Sequence, residues 1–277
     1  MKIAIIPTTG GADPYKGMEV ARELGVEGVH IAAYGGGLDL ERKTSSERKS
    51  VLSRIRGMGL EVSCLIAWGG DVDLGEPERL AENIEWGKRI NETAVDMCGG
   101  LWMAHVGVMP EDATSEKWAR FRDALGQICS HGERVGARLA METGPEPPDV
   151  VLRMIRDVGS PALAVNFDPA NLLIWPPYLA QRSGAPFDYD AALRACDPVE
   201  GLRKLIPYVV HAHAKDSVMR RDGTYDEVPL GTGMTNWPEL HRIFQEHHYS
   251  GFYAIERECG EDAMGDVRRA VEYLRGL

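Results

Sequence analysis

Residues 138–173 read RLAMETGPEPPDVVLRMIRDVGSPALAVNFDPANLL, and the fold is decided here. An apolar run, Arg138–Glu142, ends on a carboxylate. A helical segment near 149–158 follows, and a second apolar run, Leu163–Asp168, ends on another carboxylate. Two short strands joined by a helix of this length pair in parallel, because the crossover lets the second strand run the same way as the first.

The same unit recurs on both sides. Toward the N-terminus, Ile3–Ile6 reads as the first strand. Asp13-Pro14 then supplies an N-cap with proline at the first helical position; Met18, Ala21 and Leu24 form the helical stripe and Gly25 closes it. The second strand, Gly28–Ala33, leads to Thr44-Ser45-Ser46-Glu47, which has capping-box spacing. Val51, Ile55 and Met58 share the face of that helix, and Glu61–Ala67 is the third strand. A helix near 78–96 precedes Leu101–His105, and a helix carrying Trp118, Phe121, Leu125 and Ile128 on one face precedes Arg138. Toward the C-terminus, a helix near 190–205 leads to Tyr208–His213. Asn236-Trp237-Pro238 opens another before Phe252–Glu256, and the last helix carries Val267, Val271 and Leu274. Eight strand–helix units predict a (β/α)8 TIM barrel, one domain over residues 1–277, close to the roughly 250 residues typical of that fold. Gly35-Gly36-Gly37 follows strand two rather than strand one and opens no helix, which argues against an open dinucleotide-binding sheet.

Composition narrows the partners. The chain is 44% hydrophobic and 26% charged, enough apolar material for a large core. Its 31 Lys and Arg against 42 Asp and Glu leave a formal charge of −11, which opposes binding to a phosphate backbone and predicts no nucleic-acid partner. The apolar run after Met1 is too short for a signal peptide or a spanning helix, so no membrane association is expected. Cys64, Cys98, Cys129, Cys196 and Cys259 are scattered without a Cys-x-x-Cys pair, which excludes a disulfide framework or zinc knuckle and predicts a reduced, cytoplasmic chain.

In such barrels the active site lies at the C-terminal ends of the strands. Strands four to eight end at His105, Glu142, Asp168, His213 and Glu256. Any one of these is explained as a polar residue where a strand enters a loop. A carboxylate closing a buried apolar run, however, needs a partner, and three carboxylates converging on one barrel mouth repel one another unless a cation lies between them. One divalent metal on Glu142, Asp168, His213 and Glu256 meets that requirement. Three oxygen donors and an imidazole suit manganese, magnesium or cobalt ahead of zinc.

The same residues carry a family resemblance. MET at 141–143, NFDPANLL at 166–173, HAHAKDS at 211–217, PLGTG at 229–233 and AIERE at 254–258 resemble the xylose-isomerase-like barrels, in matching order along essentially the whole chain. That family contains sugar and sugar-phosphate isomerases and epimerases, inosose dehydratases and apurinic endonucleases. The resemblance implies Glu142, Asp168, His213 and Glu256 as metal ligands, with Glu142 and Glu256 also serving as acid and base on opposite sides of the substrate. One position departs: many sugar epimerases of the family carry histidine three residues after the strand-six aspartate, and Asn171 stands here instead. Asparagine hydrogen-bonds a substrate hydroxyl but does not shuttle a proton near neutral pH.

The expected activity is isomerisation or epimerisation of a keto-sugar, sugar phosphate or cyclitol ketone through a metal-stabilised enediolate. A lyase is the alternative, since the same enediolate expels a β-hydroxyl or glycosidic oxygen. A nuclease like the apurinic endonucleases is further away: it needs extra histidines for several zinc ions, and Tyr34 and Trp68 end strands two and three here. Around the metal set, His105, Asn171, Lys215, Trp68 and Tyr34 are candidate substrate contacts. Lys215 holds either a substrate oxygen or a neighbouring acid, and His105 either meets substrate or simply ends its strand. Trp102 and Trp175 are further aromatic faces near the strand ends. His211 shares parity with His213 and points inward one layer deeper, in the core or behind the ligands; Asp216 orients its loop or His213. The stretch from Trp175 to Tyr189, with prolines at 176, 177 and 186, reads as a long loop after strand six, a lid or a contact between copies in a homo-oligomer.

Overall fold

The structure, a computed structural model, describes residues 1–67 and 72–277; Trp68 lies outside the described residues. The strands in chain order are β1 (Lys2–Ile5), β2 (Gly28–Ala32), β3 (Glu61–Ile66), β4 (Leu101–Ala104), β5 (Arg138–Glu142), β6 (Leu163–Phe167), β7 (Val209–Ala214), β8 (Asp216–Met219), β9 (Tyr225–Val228) and β10 (Phe252–Ile255). All but β8 and β9 pair in parallel and close in the order β1-β10-β7-β6-β5-β4-β3-β2. The expected (β/α)8 barrel is therefore present, with β10 as its eighth strand. Pairing of Glu142 with Asn166 and of Ala254 with His213 brings the C-terminal ends of β5, β6, β7 and β10 to one rim.

The surrounding helices begin and end as their sequences dictate. Helix α1 (Pro14–Leu24) is capped by Asp13, whose carboxylate accepts from the N–H groups of Tyr15 and Lys16. Helix α2 (Ser45–Gly57) has both bonds of the Thr44–Glu47 capping box. Then come α3 (Leu80–Cys98), α4 (Glu116–Val135) and α5 (Pro148–Val158). Trp118, Phe121, Leu125 and Ile128 of α4 are buried together against the barrel. Trp102 of β4 is fully buried and donates its indole N–H to Asn91 of α3 at 2.7 Å, so it packs between barrel and helix layer.

Two expectations are corrected. The residues from Trp175 to Ser183 are not loop but belong to α6 (Asn171–Ser183), with Pro176 and Pro177 inside it. The Asp168 carboxylate starts this helix, accepting from the N–H groups of Ala170 at 2.8 Å and Asn171 at 3.0 Å. The segment 190–205 is two helices, α7 (Tyr189–Ala195) and α8 (Pro198–Leu205), the second restarted by the Asp197 cap and Pro198. One element had no counterpart in the sequence reading: the chain after β7 forms an antiparallel hairpin, β8–β9, turned at Asp222-Gly223, where Gly223 adopts φ 83°. Helices α9 (Trp237–Glu246) and α10 (Ala263–Arg275) complete the ring. No helix among the described residues is long and apolar enough to cross a membrane.

Candidate active site

At the C-terminal rim the four residues expected to bind metal come together. Glu142 ends β5, Asp168 follows β6, His213 lies near the end of β7 and Glu256 follows β10. One donor atom from each lies within 4.8 Å of all the others. His213 Nδ1 is 2.9 Å from Glu142 Oε1, 3.1 Å from Glu256 Oε2 and 3.5 Å from Asp168 Oδ2. Yet neither His213 Nδ1 nor Asp168 Oδ2 has a hydrogen-bond partner among the described residues, though both are buried. The oxygens crowd the nitrogen without lying where it would donate to them, the disposition of donor atoms around a shared centre.

The demand for positive charge at that point is plain in the protonation behaviour. Burial alone disfavours a second proton on His213, but the charges of Glu256 and Glu142 outweigh it and hold its pKa well above the ordinary value. Burial pushes Asp168 up to about 6, against the pull of Lys215. For Glu256 burial is outweighed by His213 and Lys215, which keep it well below the usual carboxylate range. A divalent cation supplies the same charge, and the donor set of three carboxylates and one imidazole fits it.

Neighbouring residues divide the oxygens of each carboxylate. Asp168 Oδ1 starts α6, which leaves Oδ2 for the centre. Glu142 Oε1 accepts from the Asn171 amide at 3.2 Å, and Glu142 Oε2 lies 2.9 Å from His105 Nε2. Burial works against protonation of His105, but the adjacent Glu142 charge prevails and raises its pKa. Thr143 clamps β5 to β6 by donating to the Asp168 carbonyl at 2.9 Å and accepting from the Asp168 N–H at 2.8 Å.

Lys215 satisfies the neighbouring-acid reading: its ammonium is 3.0 Å from Glu256, bonds Glu258, and is 3.6 Å from Glu227 of β9. It also lines a cavity of about 450 Å3 at the rim, with Glu142, Glu256, His105, Asn171 and Trp175. Tyr225 of the hairpin and Tyr178 of α6 also line it. Asp216 orients its loop rather than His213. Its carboxylate accepts from the N–H groups of Ser217, Gly231, Gly233 and Thr235 and from the Thr235 hydroxyl. Tyr34 is not in the lining: β2 ends at Ala32, and the ring packs edge-on against Trp86, centroids 5.2 Å apart.

His211 is buried one layer below, held by Asn166 Oδ1 at 2.8 Å and Ser63 Oγ at 3.2 Å. Beside it is a residue that sequence reasoning missed, His30 of β2, fully buried with Nε2 3.1 Å from His213 Nε2. Its only sequence signal is a polar residue inside an otherwise apolar strand. Glu227 and Glu258 were also missed, although Glu258 lies within the AIERE motif.

Comparison with known proteins agrees with this architecture. L-ribulose-5-phosphate 3-epimerase UlaE from Escherichia coli is 25% identical over 181 residues, 63% of this chain and 56% of that protein. This chain thus spans a little over half the length of the curated relatives it matches, and those relatives are sugar epimerases. A xylose isomerase domain protein from Planctomyces limnophilus superposes with a TM-score of 0.77 at 26% identity, over 99% of this chain and 95% of that one. A xylose isomerase-like TIM barrel protein from Mycobacterium smegmatis, solved in complex with magnesium, shares the fold at 18% identity, with a TM-score of 0.73 over 99% of this chain and 94% of that one. The family model described as xylose isomerase-like TIM barrel matches residues 18–277, from the middle of α1 through the last helix and across every residue of the rim cluster, and the chain belongs to that family.

Proposed function

We propose that this protein is a divalent-metal-dependent isomerase or epimerase of a keto-sugar, sugar phosphate or cyclitol ketone. The observation that carries the reading is the cluster of three buried carboxylates around His213 Nδ1, opening onto a cavity of about 450 Å3. Glu142, Asp168, His213 and Glu256 would hold the ion, manganese ahead of magnesium, cobalt and zinc. When bound, it supplies Lewis-acid polarisation of a substrate carbonyl, which acidifies the neighbouring C–H.

The protein's own groups do the rest. Glu142 and Glu256 are the proton carriers, and their neighbours differ: an imidazole at 2.9 Å beside Glu142, an ammonium at 3.0 Å beside Glu256. Asn171 holds Glu142 in place through its amide N–H. Trp175 and Tyr178, ring centroids 5.1 Å apart, offer an apolar wall for the C–H face of a sugar. The relationship to a ribulose-phosphate epimerase supports an epimerase outcome at the level of substrate class.

A lyase acting on similar substrates is the second reading. It is favoured by Asn171, which removes a proton carrier, together with His105, which stands beside Glu142 at the cavity wall and can protonate a departing oxygen. Both readings are tested by incubating chelator-treated and metal-reloaded protein in deuterated water with ketoses, ketose phosphates and inososes. Metal-dependent deuterium uptake next to the carbonyl is expected. Glu142→Gln and Glu256→Gln, each checked for bound metal, should lower turnover by roughly 10²–10⁴-fold. Epimer interconversion supports the first reading and release of water or an alcohol the second. Full activity without metal refutes both.

A further inference from the structure

We infer that His30 is a positioning residue for the metal centre: by accepting a hydrogen bond from His213 Nε2 it fixes the orientation of that ring and leaves Nδ1 as the atom turned toward the ion. The inference rests on the metal reading above.

The argument starts from a backbone carbonyl. His30 Nδ1 is 3.0 Å from the carbonyl oxygen of Cys64 on β3. A carbonyl only accepts, so Nδ1 carries the ring's proton. His30 is fully buried and neutral in this arrangement, which leaves Nε2 as a lone pair. That lone pair faces His213 Nε2 at 3.1 Å. Two lone pairs do not face one another at that distance in an interior that excludes water, so His213 Nε2 carries a proton and donates it. With Nε2 engaged by His30, Nδ1 is the atom that faces the centre, and the oxygens of Glu142, Glu256 and Asp168 converge on it at 2.9, 3.1 and 3.5 Å. One carbonyl in β3 therefore sets the direction of the hydrogen bond that holds His213, two residues away in space.

The barrel builds this alignment deliberately. The register between β2 and β3 slips by one residue, Val29 opposite Val62 but His30 opposite Cys64, so Ser63 is the extra residue of a bulge. Bulges re-aim side chains at barrel rims. Here the bulge brings His30 level with Cys64 and leaves Ser63 against His211. His30, His211 and His213 also form a compact group of their own. Every ring nitrogen in that group except His213 Nδ1 already has a hydrogen-bonding partner, so the three do not constitute a second ion site.

The test uses the intact chain with manganese alone as probe. Groups behind a ligating histidine typically contribute 10–100-fold to metal affinity, and a drop of that size is expected for His30→Leu with folding verified by thermal unfolding. His30→Gln, whose amide oxygen accepts from His213 Nε2, should recover most of the loss. In ¹⁵N-histidine spectra of the zinc-loaded wild type, His213 should be protonated at Nε2 alone. Folded His30→Leu binding manganese within about twofold of wild type overturns the inference, as affinity effects of this kind run tenfold or more. So does a glutamine variant no better than leucine, or a His213 ring protonated at Nδ1 with metal bound. A second manganese ion per chain that disappears in both variants overturns it as well, by making His30 a ligand. If wild type binds no divalent ion, the metal reading itself falls and this inference with it. If His30→Leu does not fold, the glutamine variant and the wild-type spectrum decide.

Discussion

Replacing Asp216 by asparagine probes how the segment 229–235 is held beside the barrel mouth. The Asp216 side chain is 2% exposed, and its two oxygens are used separately. Oδ1 accepts from Ser217 N at 2.9 Å, Thr235 N at 3.2 Å and the Thr235 hydroxyl at 2.8 Å. Oδ2 accepts from Gly231 N and Gly233 N, both at 2.9 Å. Asparagine keeps the shape and the first set. Its NH2 group then faces the N–H donors of exposed Gly231 and half-buried Gly233 and can accept from neither. Each hydrogen bond to a carboxylate contributes about 1.5–3 kcal/mol, less where water reaches the donor, so the substitution should cost roughly 2–5 kcal/mol. For a chain of this size 1 kcal/mol moves the unfolding midpoint by about 2–4 °C, which places the expected fall on the order of 10 °C. Local relaxation is limited: a Cβ on Gly233 would lie 2.2 Å from Asp216 Oδ1, so the loop already sits as close as glycine allows. Circular dichroism melts of the two proteins, followed by manganese titration, provide the measurement. Asp216 bonds its loop and not His213, so manganese affinity should change by less than about tenfold, the lower bound for groups that orient a ligand. An unchanged midpoint, or a normal midpoint with lost metal affinity, would refute this account.

Two further predictions follow from buried groups. Burial raises the Glu146 carboxyl from 4.5 to about 7, against a hydrogen bond from Met109 N. Below about pH 4.5 folded and unfolded chains both hold the proton; between there and about pH 7 only the folded chain does, so stability falls over that window by about 3 kcal/mol. Glu146→Gln should therefore leave urea midpoints unchanged near pH 4 and raise them at pH 8; equal midpoints at pH 8 would count against it. Gly144 packs so close to Trp175 that a Cβ would lie 2.7 Å from the indole Cδ1 and Nε1. Overpacking of about 1–3 kcal/mol at this wall should raise KM roughly tenfold for Gly144→Ala, with manganese affinity little altered. Unchanged KM would show that the indole wall does not touch substrate.

Strand ends were readable because each carries two signals at once, an apolar run and the polar residue that stops it. Glu142, Asp168, His213 and Glu256 were found this way, and the rim brings their donor atoms within 4.8 Å. His30 was not found, because a histidine in the middle of GVHIA looks like any core histidine until the β2–β3 bulge is known. The β8–β9 hairpin had a signal that was passed over, Asp222-Gly223, a dipeptide favoured in tight turns. Helix α6 was hidden by its prolines, since local propensity argues against a helix that Asp168 nevertheless starts. The role of Asp216 was half legible: the sequence places it beside His213, while four of its five hydrogen bonds depend on a loop returning from fifteen or more residues away.

The crowding of acids around Lys215 has a kinetic consequence. Among the described residues that line the cavity, Lys215 is the only lysine or arginine, and it is already shared by Glu256, Glu258 and Glu227. An approaching anion therefore meets a negative field at short range, on top of a chain charge of −11. Screening by salt weakens that repulsion, since the Debye length shrinks from about 30 Å at 0.01 M to about 10 Å at 0.1 M. For a phosphorylated ketose, kcat/KM should rise with ionic strength, the reverse of electrostatic steering. For an uncharged ketose it should stay flat, so the slope of that plot reads out the charge of the molecule this mouth is built to admit.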